Sequence, residues 1–461
     1  MNNQIKKPGP LASLKVAAAW RGGDGVTRLS LLILGLGSLV HKQVGRFIAF
    51  IAIELIYILY MAMIGVKSLA NLSTLGVVEQ TEVYNEAKGI YEYPPGDNSM
   101  LFLLYGVVTI LVTMAFVGFM MGSVRCAYSA QQLKKAGKKL PTFKQDLSSL
   151  LDANLYKLFL TWPIIGVMMF TIIPLIFMIL IAFTSFDRNH QPPGNLFDWV
   201  GFANFKEMLS GSGDLALTFW PVLGWTIIWA IFATFTNYIL GMILAILINR
   251  NGTRLKSMWR FIFVLSIAMP SFVSLLTMRT IFANNGAFNI MLRSIGLLGV
   301  NDTLTYFGDP LLAKVLVIVV NIWIGVPFTI MTTTGILKNI PADLYEAANV
   351  DGAGPVYTFF KITLPYMIFV TTPYLITTFV GNINNFNVIY LLTGGGPDSL
   401  EYYHAGKTDL LVTWLYKLTI THKDYNLGSV ISILVFVLMA TTSLMAYRYS
   451  GAYKNEEEFQ K

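Results

Sequence analysis

The chain has 461 residues, of which 55% are hydrophobic and only 13% charged, with a mean hydropathy of +0.59. This balance is typical of a polytopic membrane protein and excludes an ordinary soluble domain. The single cysteine, Cys126, excludes an internal disulfide framework. The net charge of +8 would suit a nucleic-acid-binding protein, but the basic residues cluster in particular loops, and membrane topology explains them better.

The first segment, residues 1–46, is basic and carries a single acidic residue, Asp24. Inside it, residues 29–40 are apolar, but 12 residues are too few to cross a hydrocarbon core that needs about 20. No small-residue cleavage pattern follows, so a discarded signal peptide is less favoured. We predict a helix over 29–40 that lies at the cytoplasmic membrane interface or packs on the bundle.

Eight long apolar runs follow and predict eight membrane-spanning helices, several of them kinked by proline. A basic polar linker after the second run completes an N-terminal two-span hairpin, residues 47–157. We favour topology anchoring over lipid binding for its lysines. The remaining six-span core is residues 158–449, and residues 450–461 form a tail. The runs are 47–66, 100–123, 158–183, 217–248, 261–283, 312–337, 366–391 and 427–447.

The charges of the loops predict the orientation of these spans. With the N-terminus inside, the cytoplasmic segments hold 23 of the 33 Lys and Arg residues, whereas the first outer loop holds a group of acidic residues. This positive-inside pattern predicts that both termini and the loop 338–365 are cytoplasmic. The cytoplasmic segments are 1–46, 124–157, 249–260, 338–365 and 448–461, and the acidic residues are Glu79, Glu82, Glu86, Glu92 and Asp97.

The loop 338–365 shows consistent signals for two short helices. A proline suits the first turn of the first helix, two acidic residues favour its positive N-terminal end, and two glycines stop it. A second short helix is predicted to begin at Pro355 and to end near Pro365. By composition alone, the loop could also be a solvated, partly amphipathic connection. The proline, acidic residues and glycines are Pro341, Asp343, Glu346, Gly352 and Gly354.

The order of residues in this loop resembles the EAA loop of ABC importer permeases. The likeness is carried by Glu346-Ala347-Ala348, by Asp351-Gly352-Ala353 and by the ending Ile362-x-Leu364-Pro365. In that family the loop forms a coupling helix that docks in a groove on the ATPase subunit. The resemblance implies an ATPase-coupling role for Glu346, Ala347, Ala348, Asp351, Gly352, Ala353 and Gly354.

Catalysis finds little support in the sequence. No serine or cysteine has a nearby base, and the four histidines lie in separate loops without metal-ligand spacing. Gly406-Lys407-Thr408 looks like the end of a phosphate loop, but that motif needs a glycine where this chain has Glu401. We therefore predict no catalytic residue, no metal site and no cofactor in this chain. The histidines are His41, His190, His404 and His422.

Glu54 is the clear carboxylate at membrane depth and is a functional candidate by default, although we favour a packing or topological role. A proton- or sodium-coupled carrier would usually show a larger set of intramembrane acids. An ion-driven secondary sugar carrier is therefore the less favoured alternative.

The polar uncharged residues of the sixth and seventh spans suggest a sugar site. Asn382 and Asn385 share a helix face at i, i+3, and their amides complement sugar hydroxyls. In the sixth span, Trp323 and Phe328 lie beside a predicted helix break at Gly325–Pro327, and aromatic faces pack on pyranose rings. The alternative is that the asparagines join helices and the aromatic rings fill the bundle.

From about Leu217 to Tyr449 the chain resembles the MalF-type permease subunits of maltose and maltodextrin ABC importers, which have an all-α, MetI-like type I core. The resemblance implies a midplane sugar site. The likeness is carried by Asn321-Ile-Trp-Ile-Gly-Val-Pro327, the loop 341–365, Asn382-Ile-Asn-Asn-Phe386, Leu391-Leu-Thr-Gly-Gly-Gly-Pro397-Asp398 and Ala405-Gly-Lys-Thr-Asp-Leu-Leu-Val412. The implied site residues are Trp323, Gly325, Phe328, Thr378, Asn382 and Asn385.

The same resemblance implies an assembly in a bacterial-type cell membrane. This chain would form half of a carbohydrate pathway, with maltose or maltodextrin favoured and another oligosaccharide as the alternative. The expected partners are a MalG-like second permease, two MalK-like ATPase subunits that bind ATP and magnesium, and an extracellular sugar-binding protein. Only residues 184–216 occupy the place of a large extracytoplasmic domain in some members, so we expect a shorter partner contact, as with a lipid-anchored binding protein.

Overall fold

The computed structural model describes residues 16–250 and 252–449. The predicted tail 450–461 and the first part of the predicted segment 1–46 lie outside the described residues. Within the described residues, the secondary structure is helical apart from one two-stranded hairpin, so the predicted all-α class is confirmed. The chain divides into two compact units, Met1–Val200 and Gly201–Lys461.

In the first unit, three short helices precede a long apolar helix, and the hairpin follows it. The elements are α1 Val16–Gly22, α2 Gly25–Leu29, α3 Leu36–Val40, α4 Val44–Ala70, β1 Val83–Asn85, β2 Ile90–Glu92, α5 Ser99–Lys135, α6 Phe143–Leu151 and α7 Leu155–Ile181.

The single helix predicted over 29–40 is wrong, because a turn separates α2 from α3. Gly35 adopts a left-handed conformation in that turn, with φ of +80°, which favours glycine. The stretch packs on the bundle, which is one of the two locations predicted for it. The Ser123 hydroxyl of α5 donates to the Ser30 carbonyl at 2.9 Å and accepts from the Gly35 N–H at 2.8 Å.

Glu54 has a structural partner in the same region. Its carboxylate accepts a hydrogen bond of 2.8 Å from the backbone N–H of Leu34, a residue with no exposed surface. A backbone N–H in an apolar environment needs an acceptor, and the carboxylate supplies one for the turn between α2 and α3. This contact agrees with the packing role favoured for Glu54.

In the second unit, one long helix, α9, packs against both α13 and α15. The helices are α8 Ala203–Leu209, α9 Asp214–Asn249, α10 Lys256–Ala268, α11 Ser271–Ile281, α12 Ala287–Ser294, α13 Pro310–Leu337, α14 Ala342–Val350, α15 Pro355–Ile383, α16 Phe386–Leu392, α17 Leu411–Tyr416 and α18 Tyr425–Tyr449, with a π-helical turn Lys417–His422 after α17.

Seven helices within the described residues are long and apolar enough to cross a membrane, and the pair α10–α11 gives an eighth span if it counts as one. This agrees with the predicted number of about eight. The predicted run 261–283 is not a kinked single helix, because α10 and α11 meet at an angle of 89°. Met269 is extended there, as expected for a residue before proline, and Pro270 is the cap residue directly before α11.

The prediction that the second helix of the loop 338–365 ends near Pro365 is wrong. Helix α15 runs through this proline to Ile383. A π-helical turn, Phe359–Thr363, precedes the proline, and the N–H of Leu364 donates to the carbonyl of Phe359. This wider turn changes the hydrogen-bond register just before Pro365, so the helix continues despite the missing N–H.

Between α16 and α17 the chain folds around a buried carboxylate, Asp409. Its Oδ2 accepts from the Gly406 N–H at 2.7 Å and from Lys417 Nζ at 2.6 Å, and burial raises the pKa of Asp409 while the lysine opposes the rise. A Cβ at Gly395 would overlap this carboxylate, and the φ of Gly395 is +86°. The triple-glycine sequence therefore permits a close backbone approach to Asp409.

We expect Lys417→Met to lower the thermal unfolding midpoint of the purified protein by several degrees, because it leaves a buried carboxylate without its cation, a loss of about 3–5 kcal/mol. The double variant Asp409→Asn, Lys417→Met removes both charges and should recover most of the midpoint. Thermal unfolding in detergent measures both. A single variant as stable as the parent would show that the ion pair does not hold this segment.

Candidate functional site

The predicted coupling residues form a short helix and a glycine turn. Helix α14 begins directly after Pro341 and ends at Val350. Gly352 has a φ of +74°, and the Ala353 N–H donates to the Ala348 carbonyl at 2.9 Å, which closes the helix end. Of the two glycines predicted to stop the helix, Gly352 needs glycine for its conformation, whereas Gly354 is extended and caps α15.

Most of the predicted coupling residues are exposed, but they are not equivalent. Ala348 is buried, and Ala353 is half-buried. The hydroxyl of Tyr345 lies 3.0 Å from that of Thr363 and joins α14 to α15, a contact that sequence reasoning missed. The exposed members are Glu346, Ala347, Asp351, Gly352 and Gly354.

Apolar side chains also project from this loop. Val350 is 88% exposed and Val356 is 69% exposed, with Leu344 and Tyr357 exposed beside them. A cavity of about 640 Å³ lies between the loop and the end of α9, and Asn249 and Tyr345 are among its lining residues. A surface with exposed aliphatic and aromatic groups next to a cavity is typical of a protein interaction site.

The predicted break at Gly325–Pro327 is wrong, because α13 continues through both residues. Proline is tolerated inside a membrane helix, where neighbouring groups can satisfy the freed carbonyl. Gly325 packs against the side chain of Asn237 on α9, and a Cβ there would overlap it. Trp323 and Phe328 are 59% and 58% exposed, and Trp323 lies about 200° around the helix from Gly325, on nearly the opposite face.

The break lies instead in the predicted seventh run, 366–391. Helix α15 ends at Ile383 and α16 begins at Phe386. Asn385 caps α16, with its Oδ1 accepting from the Val388 N–H, and its Nδ2 donates to Asn382 Oδ1 at 3.3 Å. The two asparagines therefore meet across a helix end, and not on one helix face as predicted.

Polar residues of α9 connect the two groups of predicted site residues, and the site prediction omitted them. Asn382 Nδ2 donates to Thr234 Oγ1 at 3.0 Å, and Asn237 lies one turn further along α9, against Gly325. Thr378, which is half-buried, lies one turn before Asn382 in α15. The signal available in the sequence was a threonine and an asparagine inside a long apolar run.

Two buried amides near this strip have unused hydrogen-bonding capacity. Asn237 Oδ1 and Asn321 Nδ2 have no partner among the described residues, and the two side chains are only 9% and 6% exposed. A buried polar atom without a partner costs about 1–3 kcal/mol. Asn321 lies one helical turn from Gly325, so an acceptor and a donor remain available beside the predicted site.

The segment that resembled a phosphate loop is occupied by its own contacts. Lys407 Nζ pairs with Glu401 at 3.0 Å, and the Thr408 side chain is buried. His404 and His422, predicted to lie apart, stack with ring centroids 3.5 Å apart. Within the described residues no group of three or more metal-ligating side chains occurs.

Residues 237–451 match the family described as binding-protein-dependent transport system inner membrane component. The maltodextrin transport system permease protein MdxF of Bacillus subtilis is 33% identical over 433 residues, which cover 92% of this chain and 95% of that protein. The chain belongs to this family of membrane permeases. The family predicted from the resemblance and the predicted membrane location are thereby confirmed.

Other relatives agree with this assignment. The permease is 32% identical over 433 residues to the galactooligosaccharides transport system permease protein GanP of Bacillus subtilis, covering 94% of this chain and 99% of that protein. It is 38% identical over 251 residues to the maltose/maltodextrin permease protein MalF of Escherichia coli K12, covering 53% and 48%. The fold is shared with a chain of a bacterial alginate ABC transporter, at a TM-score of 0.52 and 22% identity, covering 65% and 94%.

We expect Gly325→Ala to lower the thermal midpoint of the permease and to reduce transport at least several-fold, because the added methyl overlaps Asn237 at a packed helix contact. The matched control is Gly335→Ala in the same helix, where a Cβ meets open space. Thermal unfolding and uptake are measured for both variants. Equal behaviour of the two would contradict the close contact between α9 and α13.

Proposed function

We propose that this permease forms half of the translocation pathway of an ATP-driven oligosaccharide importer. The observation that carries the proposal is the polar strip of Thr234, Asn237, Asn321 and Asn382, placed beside a helix break in an apolar bundle. Sugar hydroxyls both donate and accept, so they match the unused atoms of Asn237 and Asn321. Phe328 provides the aromatic surface proposed to pack on the sugar rings, whereas Trp323 lies on the other face of α13.

The relatives support a glucose-based substrate, with a galactose-based one as the second candidate. MdxF and MalF are named for maltodextrin and maltose, whereas GanP is named for galactooligosaccharides. The identities of MdxF and GanP to this chain differ by a single percentage point, 33% against 32%. We favour maltodextrin because the MalF likeness includes the asparagine and tryptophan segments assigned to the sugar site.

The structure offers a direct mechanical connection for coupling to a separate ATPase. Helix α15 is continuous from the loop at Pro355, through its π-helical turn, to Thr378 and Asn382. A displacement of the loop would therefore move one wall of the proposed sugar site as a rigid body. ATP and magnesium would bind to the partner subunits, and alternating access would follow from their closure and opening.

With α10–α11 counted as one span, the number of spans that precede each loop agrees with the predicted topology. The loop that contains α14 then follows an even number of spans and would share the side of the N-terminus, whereas the hairpin β1–β2 follows one span and would lie on the other side. With the predicted cytoplasmic N-terminus, α14 faces the ATPase and the hairpin faces outward. The second permease would be MalG-like and the ATPase MalK-like in this assembly.

We expect Val350→Asp to reduce co-purification of the ATPase subunits at least tenfold without loss of membrane insertion, because a charge would replace an exposed apolar side chain of the docking surface. Gly352→Val should act similarly through backbone strain at its positive φ. The control is Leu400→Asp, a fully exposed leucine of the segment after α16. Unchanged co-purification and uptake in the Val350 and Gly352 variants would exclude this loop as the docking element.

The substrate is tested with the reconstituted complex and its binding protein. We expect maltodextrins to stimulate ATP hydrolysis, and Asn321→Leu to abolish that stimulation while basal hydrolysis persists, because the variant removes the unpaired amide donor. Stimulation by galactooligosaccharides alone would favour the second candidate. Uptake driven by an ion gradient without ATP would identify a secondary carrier and contradict the proposal.

A further inference from the structure

The hairpin β1–β2 exposes an aromatic face. Tyr84 pairs with Tyr91 across the strands, with ring centroids 5.0 Å apart, and Tyr93 lies on the same face two residues further. The three tyrosines are 52%, 63% and 63% exposed. Glu82 belongs to this face as well, since its carboxylate contacts the Tyr93 hydroxyl and raises the pKa of Tyr93.

The hairpin is held in one shape by contacts at its turn. Asn85 Oδ1 accepts from the backbone N–H groups of Ala87 and Lys88, and Asn85 Nδ2 donates to Glu92 at 2.9 Å. Lys88 also pairs with Glu92 at 2.7 Å, and Gly89 takes the left-handed conformation that the turn requires. A two-stranded hairpin is marginal by itself, so these contacts preorganise the tyrosine face.

The base of the hairpin is tied to the second loop on the same side. Asp97 Oδ2 accepts from the N–H groups of Val77 and Val78 at 2.9 and 3.1 Å, and these bonds lower the pKa of Asp97. The Gln80 N–H donates to the Pro193 carbonyl at 3.1 Å. The segment after α7 thus supports the base of the hairpin through Pro193.

The charge around the tyrosines is opposite to that of the whole chain. Residues 79–97 contain five acidic residues and one lysine, a net charge of −4, whereas the chain carries +8. Tyrosine is enriched among the residues that contribute most to binding energy in protein interfaces, and such residues are usually surrounded by a polar rim. The acidic rim disfavours anionic lipid headgroups, and the tilt of 58° between Tyr84 and Tyr91 leaves no flat platform for a sugar chain.

We propose that the face formed by Glu82, Tyr84, Tyr91 and Tyr93 is the docking surface for the extracellular sugar-binding protein of the importer. The complementary patch on that protein has an apolar centre for the tyrosines and a rim of lysine and arginine. The inference rests on the proposed function, which supplies the partner, and on the predicted topology, in which the hairpin is outside. Electrostatic attraction to the acidic rim sets the association rate, and the tyrosines set the residence time.

The test uses the complete transporter in lipid nanodiscs and its sugar-loaded binding protein. For Tyr84→Ala, Tyr91→Ala we expect the concentration of binding protein that gives half-maximal ATPase stimulation to rise at least tenfold, with the maximal rate unchanged. Glu82→Gln, Glu86→Gln should slow association at low salt and flatten its salt dependence. The matched control is Tyr156→Ala, a tyrosine 58% exposed at the start of α7.

Each result decides the role of the hairpin. Unchanged half-saturation and binding kinetics in the tyrosine variant would overturn the proposal, as would a change confined to the sugar concentration required at saturating binding protein. Direct association of the binding protein with the nanodisc complex is measured separately from transport. A failure of the unsubstituted complex to respond to any oligosaccharide would contradict the proposed function, while the association measurement would still test the hairpin.

Discussion

The second unit depends on hydrogen bonds that α9 makes across an apolar bundle. The indole N–H groups of Trp225 and Trp229 donate to the carbonyls of Thr408 and Asn382, each at 3.1 Å, and Thr234 accepts from the Asn382 amide. In hydrocarbon no water replaces a lost partner, so each bond fixes the position of a neighbouring helix or loop along α9. The helix break at Asn384–Asn385 is tolerated because these partners satisfy its free groups.

Some of the same residues belong to the proposed transport pathway. Asn382 is held by α9 and by Asn385, and it also lies at the end of the helix that begins at Pro355 in the proposed coupling loop. Binding and release of a ligand beside such a junction can alter the contacts that hold α15 in place. In the proposed mechanism, one rigid helix joins the coupling loop to the polar strip, so a displacement of the loop would move the strip as well.

The positions of the spans were largely predictable, because hydropathy is a property of each segment by itself. The predicted run 217–248 became α9 at 214–249, and 312–337 became α13 at 310–337. The effect of proline was not predictable in the same way. Pro270 separates two helices, whereas Pro327 and Pro365 do not, since the outcome depends on the preceding turn and on neighbouring helices that satisfy the freed carbonyls.

By itself, the sequence determined the membrane class, the number of spans within one and the glycine turn at Gly352, because these follow from local apolar length and local backbone conformation. The tertiary structure alone decided the partners of the polar groups. Thr234 and Asn382 are 148 residues apart, and the contact of Asn237 with Gly325 also joins two helices that are distant in the chain. Such pairs arise from the packing of whole helices, which no local pattern encodes.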